Sequence, residues 1–360
     1  MRFLAILGVL IVHTAGDLYF VNGAHIPDWS FDKGLVLRLM GGGWFGVQIF
    51  FVLSGFIVSL PFAKHRLQGT AAPDLRRYLL RRLTRIEPPY IIALTLFYLA
   101  SGKTQQLLYN YLAGLVYSHH YIFTTLNPVA QITWSLEVEV TFYILAPWLT
   151  LVYCVRGNYR RWLLQLALIV LPAAASVYWL VPHGPARIQN TLVVMIQYFF
   201  AGILLADLYA SGLMRRSAVL AWDLGAIGAA VALGSILCGM PDTWNWYWVT
   251  PVLIMLLFAG IFKGRFANRL FRVRAITIVG GMCYTLYLSH MAVIGIIAYQ
   301  LKPLLAGLSD VPATVAYCLL VLPIMIAVSV PIYLLIEKPF MTGNFTQLRG
   351  WLPYRAAESA

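Results

Sequence analysis

Residues 3–12 read FLAILGVLIV, an unbroken apolar run between Arg2 and His13. Residues 45–61 read FGVQIFFVLSGFIVSLP, a second run without a single charge. The rest of the chain follows suit: of 360 residues, 61% are hydrophobic and 11% charged. A soluble domain carries about 25% charged residues, so lipid must replace water around most of this surface. A crossing takes about 20 apolar residues, which leaves no room for a large soluble domain.

The sequence therefore predicts an all-α, polytopic transmembrane bundle. Ten spans are read at 2–21, 35–61, 86–101, 134–154, 161–180, 190–210, 218–239, 246–262, 276–299 and 313–336. Pro and Gly mark breaks, as at Pro182-His183-Gly184-Pro185 and Gly239-Met240-Pro241. The third span follows Pro88-Pro89 and is expected to be short or tilted. Residues 1–341 form the membrane domain, and 342–360 form a polar cytoplasmic tail.

The net charge of +13 does not indicate nucleic acid, because the basic residues form short clusters between apolar runs. With the N-terminus inside, 21 of the 26 Lys and Arg fall in cytoplasmic segments and 5 outside. That bias puts both termini in the cytoplasm and the protein in the cell (inner) membrane. Arg2 before Phe3–Val12 also has the form of a signal peptide. A clean A-x-A site is missing and His13 ends the run early, so the segment is expected to remain as the first span. Cys154, Cys238, Cys283 and Cys318 lie in or beside apolar segments with no CxxC pair. They read as packing residues, with neither a disulfide framework nor a metal site expected.

Ionisable groups at membrane depth are costly and usually face a cavity. Arg2 and His13 share one stripe of the first helix, separated by about 16 Å of rise. Glu139 enters from outside and lies about 22 Å from the cytoplasmic edge. His290 lies about 21 Å along the ninth span. His13, Glu139 and His290 thus fall within about 6 Å in depth, which predicts one polar site in the outer half of the bundle. Bland readings stand beside this: His13 as an interhelical hydrogen bonder, His290 as a helix cap, Glu137 and Glu139 at the interface. Ser54-Gly55 permits close helix approach. Arg81, Arg82 and Arg85 lie one turn apart at the inner edge, where guanidinium forks suit phosphate or lipid headgroups.

These blocks together resemble the membrane-bound acyltransferase-3 family, over nearly the whole chain. Arg2 and His13 resemble its Arg-x10-His pair, and Gly46 to Phe56 its G-V-x-x-F-F-V-x-S-G-F block. Arg81 to Ile86, with Pro88 and Tyr90, resemble R-R-x-x-R-I-x-P-x-Y. Trp134 to Tyr143 resemble W-S-L-x-x-E-x-x-F-Y, which puts the family glutamate at Glu139. Tyr284 to His290 and Glu337-Lys338-Pro339-Phe340 resemble the last two blocks. The departures are Cys283 where serine is common, Gln48 where an acid often occurs, and Glu87 where the family is uncharged. The chain also opens directly on the Arg of the first block, so a start slightly upstream is expected. No hydrolase-like domain follows the last span here, so the chemistry is expected within the bundle.

The resemblance implies O-acylation. The donor is cytoplasmic acyl-CoA, acetyl-CoA foremost, with no permanently bound cofactor. The acceptor is a hydroxyl on a carbohydrate or lipid-linked glycan. Arg81, Arg82 and Arg85 would clamp CoA phosphates. His13 would act as general base or transient acyl carrier, with Glu139 and Arg2 assisting. Gln48, Ser54, Trp134, Tyr287 and His290 are expected to line the site. The rival is a proton-coupled transporter or flippase without acyl chemistry, although no inverted repeat is visible.

Overall fold

The computed structural model describes residues 1–21, 35–184, 188–215, 217, 219–237, 248–305 and 307–342. The predicted tail beyond Thr342, Cys238 and the Gly239-Met240-Pro241 break lie outside the described residues. Among the described residues every regular element is helical. They are α1 (Arg2–Val21), α2 (Leu35–Gly41), α3 (Phe45–Gln68), α4 (Leu75–Ala100), α5 (Gln105–Leu115), α6 (His119–Ile122), α7 (Trp134–Leu149), α8 (Asn158–Ala175), α9 (Val181–His183), α10 (Leu192–Ala210), α11 (Leu220–Leu237), α12 (Thr250–Lys263), α13 (Phe266–Leu270), α14 (Arg274–Gly281), α15 (Cys283–Leu305), α16 (Asp310–Ile332) and α17 (Lys338–Thr342). Among the described residues, six helical stretches are long and apolar enough to cross a membrane: Leu35–Gln68, Gln131–Cys154, Asn158–His183, Leu192–Ala210, Cys283–Leu301 and Val311–Met341.

Glycine sets the closest approaches. A Cβ on Gly43 would lie 2.0 Å from the Gly8 carbonyl oxygen, and one on Gly46 2.3 Å from that of Ala5. The start of α3 therefore lies directly on α1. Further along, a Cβ on Gly55 would lie 2.4 Å from the Phe199 oxygen, and one on Gly202 2.2 Å from the Val52 oxygen. This reciprocal pair seats α3 against α10, with Phe51, Phe199 and Phe142 stacked beside it at ring distances of 4.9 and 4.1 Å. In lipid, such backbone proximity supplies the dispersion contact that water exclusion supplies elsewhere. α1 also packs on α14, α15 and α16, so it runs through the interior and not along the edge.

Five spans differ from the sequence expectation. The short third span is instead the long helix α4, begun by Asp74, whose carboxylate accepts the Arg77 N–H at 3.1 Å. It runs through Pro88 and Pro89, and the Tyr284 hydroxyl donates to the Ile86 carbonyl at 2.8 Å beside them. Pro88 and Pro89 remove the amide donors of the Thr84 and Arg85 carbonyls, and the Tyr284 hydroxyl ties α15 to α4 one residue further on. The second span is broken by a 3-10 turn at Gly42–Trp44. The ninth is split at Met282 into α14 and α15, where Gly280 rests on the backbone of Phe3. The fifth and tenth spans end in π turns, Ser176–Leu180 and Tyr333–Glu337. Arg161, counted among the cytoplasmic cations, is buried. It donates to Asp207 together with Trp162 and Gln165, which ties α8 to α10.

Candidate functional site

The histidines of α1 and α15, expected at one depth, meet. His13 of α1 is half-buried, His290 of α15 fully so, and His290 Nε2 lies 2.9 Å from His13 Nδ1. His290 Nδ1 in turn lies 2.6 Å from the Tyr287 carbonyl oxygen. A carbonyl only accepts, so His290 Nδ1 carries its hydrogen and Nε2 of the neutral ring is a lone pair. His13 must then donate through Nδ1. The unprotonated nitrogen of His13 is Nε2, set by two successive hydrogen bonds. The Trp44 ring meets the His13 ring edge-on at 6.0 Å.

Tyr287 links this pair to α7. Its ring centroid is 5.7 Å from that of His290. Its hydroxyl donates to the Ile132 carbonyl at 2.8 Å and accepts from Ser135 at 2.7 Å. One turn beyond Ser135 stands Glu139. Its Oε1 accepts from both Ser54 of α3 and Tyr143. The Arg82 guanidinium lies over the Tyr143 ring at 5.7 Å.

Ser135, Glu139, Tyr143, Tyr287 and Ser54 line one cavity, and Arg2, Arg82 and Arg85 complete its wall. Cys283 and Tyr284, at the start of α15, also face it. The cavity therefore joins a cationic end to a hydroxyl-rich end with one carboxylate between neutral groups. Arg81 is exposed and Trp134 packs edge-on against Phe51 at 6.2 Å, so neither belongs to the wall. Gln48 is half-buried, and its side-chain oxygen has no hydrogen-bond partner. The three ionisable groups expected at one depth are divided: His13 bonds His290, while Glu139 bonds Ser54 and Tyr143.

Sequence reasoning missed a second constellation. Glu137 is 1% exposed, and it accepts the backbone N–H of His120 at 2.9 Å. Residues two apart on a helix point about 200° away from each other. Glu139 can thus serve the cavity while Glu137 turns towards His119 and His120. The adjacent histidines were the available signal, but a loop has no periodicity to reveal burial.

His13 and His290 are not among the residues that line this cavity. An imidazole nitrogen left bare can remove a proton, and guanidinium groups in a cavity wall can hold anionic groups. A model of the acyltransferase-domain family, acyltransferase family 3, matches residues 1–334. A provisionally named O-acetyltransferase of Staphylococcus aureus (strain COL) is 22% identical, over 98% of this chain and 58% of its own length. A second such protein, from strain MRSA252, is 22% identical over 82% of this chain and 50% of its own. The O-acetyltransferase OatA of Staphylococcus aureus (strain NCTC 8325) is 21% identical, over 82% of this chain and 49% of its own. The chain thus spans about half the length of these curated relatives. No solved structure matches it. With its profile matched from the first residue through α16 and into the π turn that follows, the chain belongs to the acyltransferase-3 family.

Proposed function

We propose that this protein is a multi-pass inner-membrane O-acyltransferase that moves an acetyl group from cytoplasmic acetyl-CoA to a hydroxyl of a carbohydrate or lipid-linked glycan. The acetyl group is favoured by the relatives' names. Ten spans are assigned by adding α1, α4, α11 and α12 to the six helical stretches that meet the length and apolarity requirement. With 21 of 26 Lys and Arg inside, both termini are cytoplasmic, residues 1–341 form the membrane domain and 342–360 a tail.

One observation carries the chemistry: the His13–His290 hydrogen bond, which leaves His13 Nε2 as a lone pair. In this reading His13 Nε2 takes the proton of the acceptor hydroxyl as its oxygen attacks the thioester carbonyl. The C–S bond breaks and CoA leaves as the thiolate, which receives that proton. Arg82 and Arg85 hold the donor's phosphates, Arg2 supports the same end, and Glu139 Oε2 binds an acceptor hydroxyl. A variant of this path places the acyl group on His13 Nε2 before the acceptor takes it.

The test uses membranes supplied with isotope-labelled acetyl-CoA, with mass spectrometry of the glycan fraction. Label must appear with the wild type and vanish with His13→Ala at equal protein level. Label that persists in His13→Ala removes the assignment, and transport of intact glycan without label favours the flippase reading. Protein-bound label released by hydroxylamine separates the acyl-histidine path from direct transfer.

A further inference from the structure

Among the described residues, His119, His120 and Glu137 are side chains able to hold a metal ion, each with one ligand atom within 4.8 Å of the others. They are 0%, 3% and 1% exposed. Their surroundings assign each nitrogen. Asn110 Nδ2 donates to the Gln106 carbonyl at 2.8 Å, which turns its Oδ1 towards His119 Nε2 at 2.7 Å. His119 Nε2 therefore carries the hydrogen, and Nδ1 is a lone pair. His120 Nδ1 lies 3.2 Å from Glu137 Oε2, so Nδ1 carries the hydrogen, and Nε2 of the neutral ring is a lone pair. His119 Nδ1, His120 Nε2 and Glu137 Oε1 are buried and have no hydrogen-bond partner.

All three unpartnered atoms are acceptors. His119 Nδ1 and Glu137 Oε1 cannot satisfy one another, and each stays unpaired and destabilising unless a donor or a cation meets it, while His120 Nε2 lies across its ring from Glu137. Two imidazoles and one carboxylate suit zinc and its neighbours, not the all-oxygen preference of magnesium or calcium. Asn110 acts as the outer partner that metal-binding histidines usually have, fixing tautomer and ring orientation.

We propose that His119, His120 and Glu137 bind one divalent transition-metal ion of the zinc class, separate from the acyl-transfer cavity. The ion replaces the hydrogen between His120 Nδ1 and Glu137, which moves to His120 Nε2, and takes His119 Nδ1 as its third donor. It fastens α6 to α7, with Asn110 bringing in α5. Three protein ligands leave a fourth position for water.

The test is made on untagged full-length protein purified in detergent and stripped with a chelator. Equilibrium dialysis against Zn²⁺ is expected to restore one ion per chain. Co²⁺ is expected to give visible ligand-field bands that Zn²⁺ displaces. Glu137→Gln and His120→Ala weaken binding at least about 100-fold, and Asn110→Leu weakens it about 10- to 100-fold. Zn²⁺ also raises the melting temperature of the stripped wild type, a readout that survives if a ligand variant folds poorly. Stripped wild type that takes up no stoichiometric Zn²⁺, or Co²⁺ bands unchanged in His120→Ala, would overturn the site. The cluster would then be a hydrogen-bonded His120–Glu137 pair only.

Discussion

The molecule buries two histidine pairs and anchors them differently. His290 passes its hydrogen bond to the carbonyl of Tyr287, and His13 rests on His290. His120 passes its hydrogen bond to the carboxylate of Glu137, with His119 alongside. A carbonyl anchor orients an imidazole while leaving it neutral, with a basic nitrogen free. A carboxylate anchor supplies negative charge, and negative charge beside unpartnered acceptors calls for a cation. On the roles proposed above, the same residue type serves as a base in one place and a ligand in the other, according to the second partner.

The deepest effect expected is on the first pair. His13→Ala should lower labelled acetyl transfer by about 10²–10⁴-fold, the usual contribution of a positioned general base. The measurement is the initial rate in membranes, normalised to folded protein. An equally deep loss in His120→Ala, at equal folded protein, would erase the distinction between the pairs.

His290 comes next. His290→Ala removes the acceptor that holds the His13 tautomer and should cost about 10–10²-fold in rate, below the roughly 10⁴-fold of a triad's charged orienting carboxylate because His290 is a neutral acceptor. His290→Gln should recover part of this, because its amide oxygen can accept from His13 Nδ1. The split between Ala and Gln, with the pH profile of each, distinguishes orientation from packing.

A smaller change is expected at the cationic end of the cavity. Arg82→Ala and Arg85→Ala should each raise KM for acetyl-CoA about tenfold, from charge-assisted hydrogen bonds of about 1.5–3 kcal/mol. Arg81 is exposed and off the cavity wall, so Arg81→Ala should change KM by less than about twofold. Equal effects at all three positions would mean that the cluster acts as a diffuse positive patch and not through the cavity.

The helices were legible because apolar runs of bilayer length allow few alternatives. Their interruptions were not. Pro88-Pro89 reads as a boundary, yet α4 runs through it, and Tyr284, from a helix nearly two hundred positions away, bonds the Ile86 carbonyl beside it. Gly280 and Met282 read as ordinary span residues, although the crowding of α14 against Phe3 splits the helix at that point. At the site, rise per residue placed His13 and His290 at one depth, and they are bonded. Depth alone could not say which helix faces Glu139 turns to, so its partners Ser54 and Tyr143 emerge only from the packing. His119 and His120 were silent for another reason: their burial depends on α5 and α7 closing over a loop.

The mildest effect separates the two carboxylates of α7. Glu139→Gln keeps an amide oxygen where Ser54 and Tyr143 donate, so folding should be nearly unperturbed while transfer falls. Glu137→Gln also keeps an acceptor for the His120 backbone N–H, but it removes the charge opposite His120 Nδ1. A hydrogen bond to a charged group contributes about 1.5–3 kcal/mol, against about 1 for a neutral one. The net loss of about 0.5–2 kcal/mol corresponds to roughly 1–3 °C in melting temperature for a chain of 360 residues. Differential scanning fluorimetry in detergent resolves such a shift. If Glu139→Gln destabilised the fold and Glu137→Gln did not, the two faces of α7 would exchange roles, with the structural carboxylate lying in the cavity and the functional one beside the histidines.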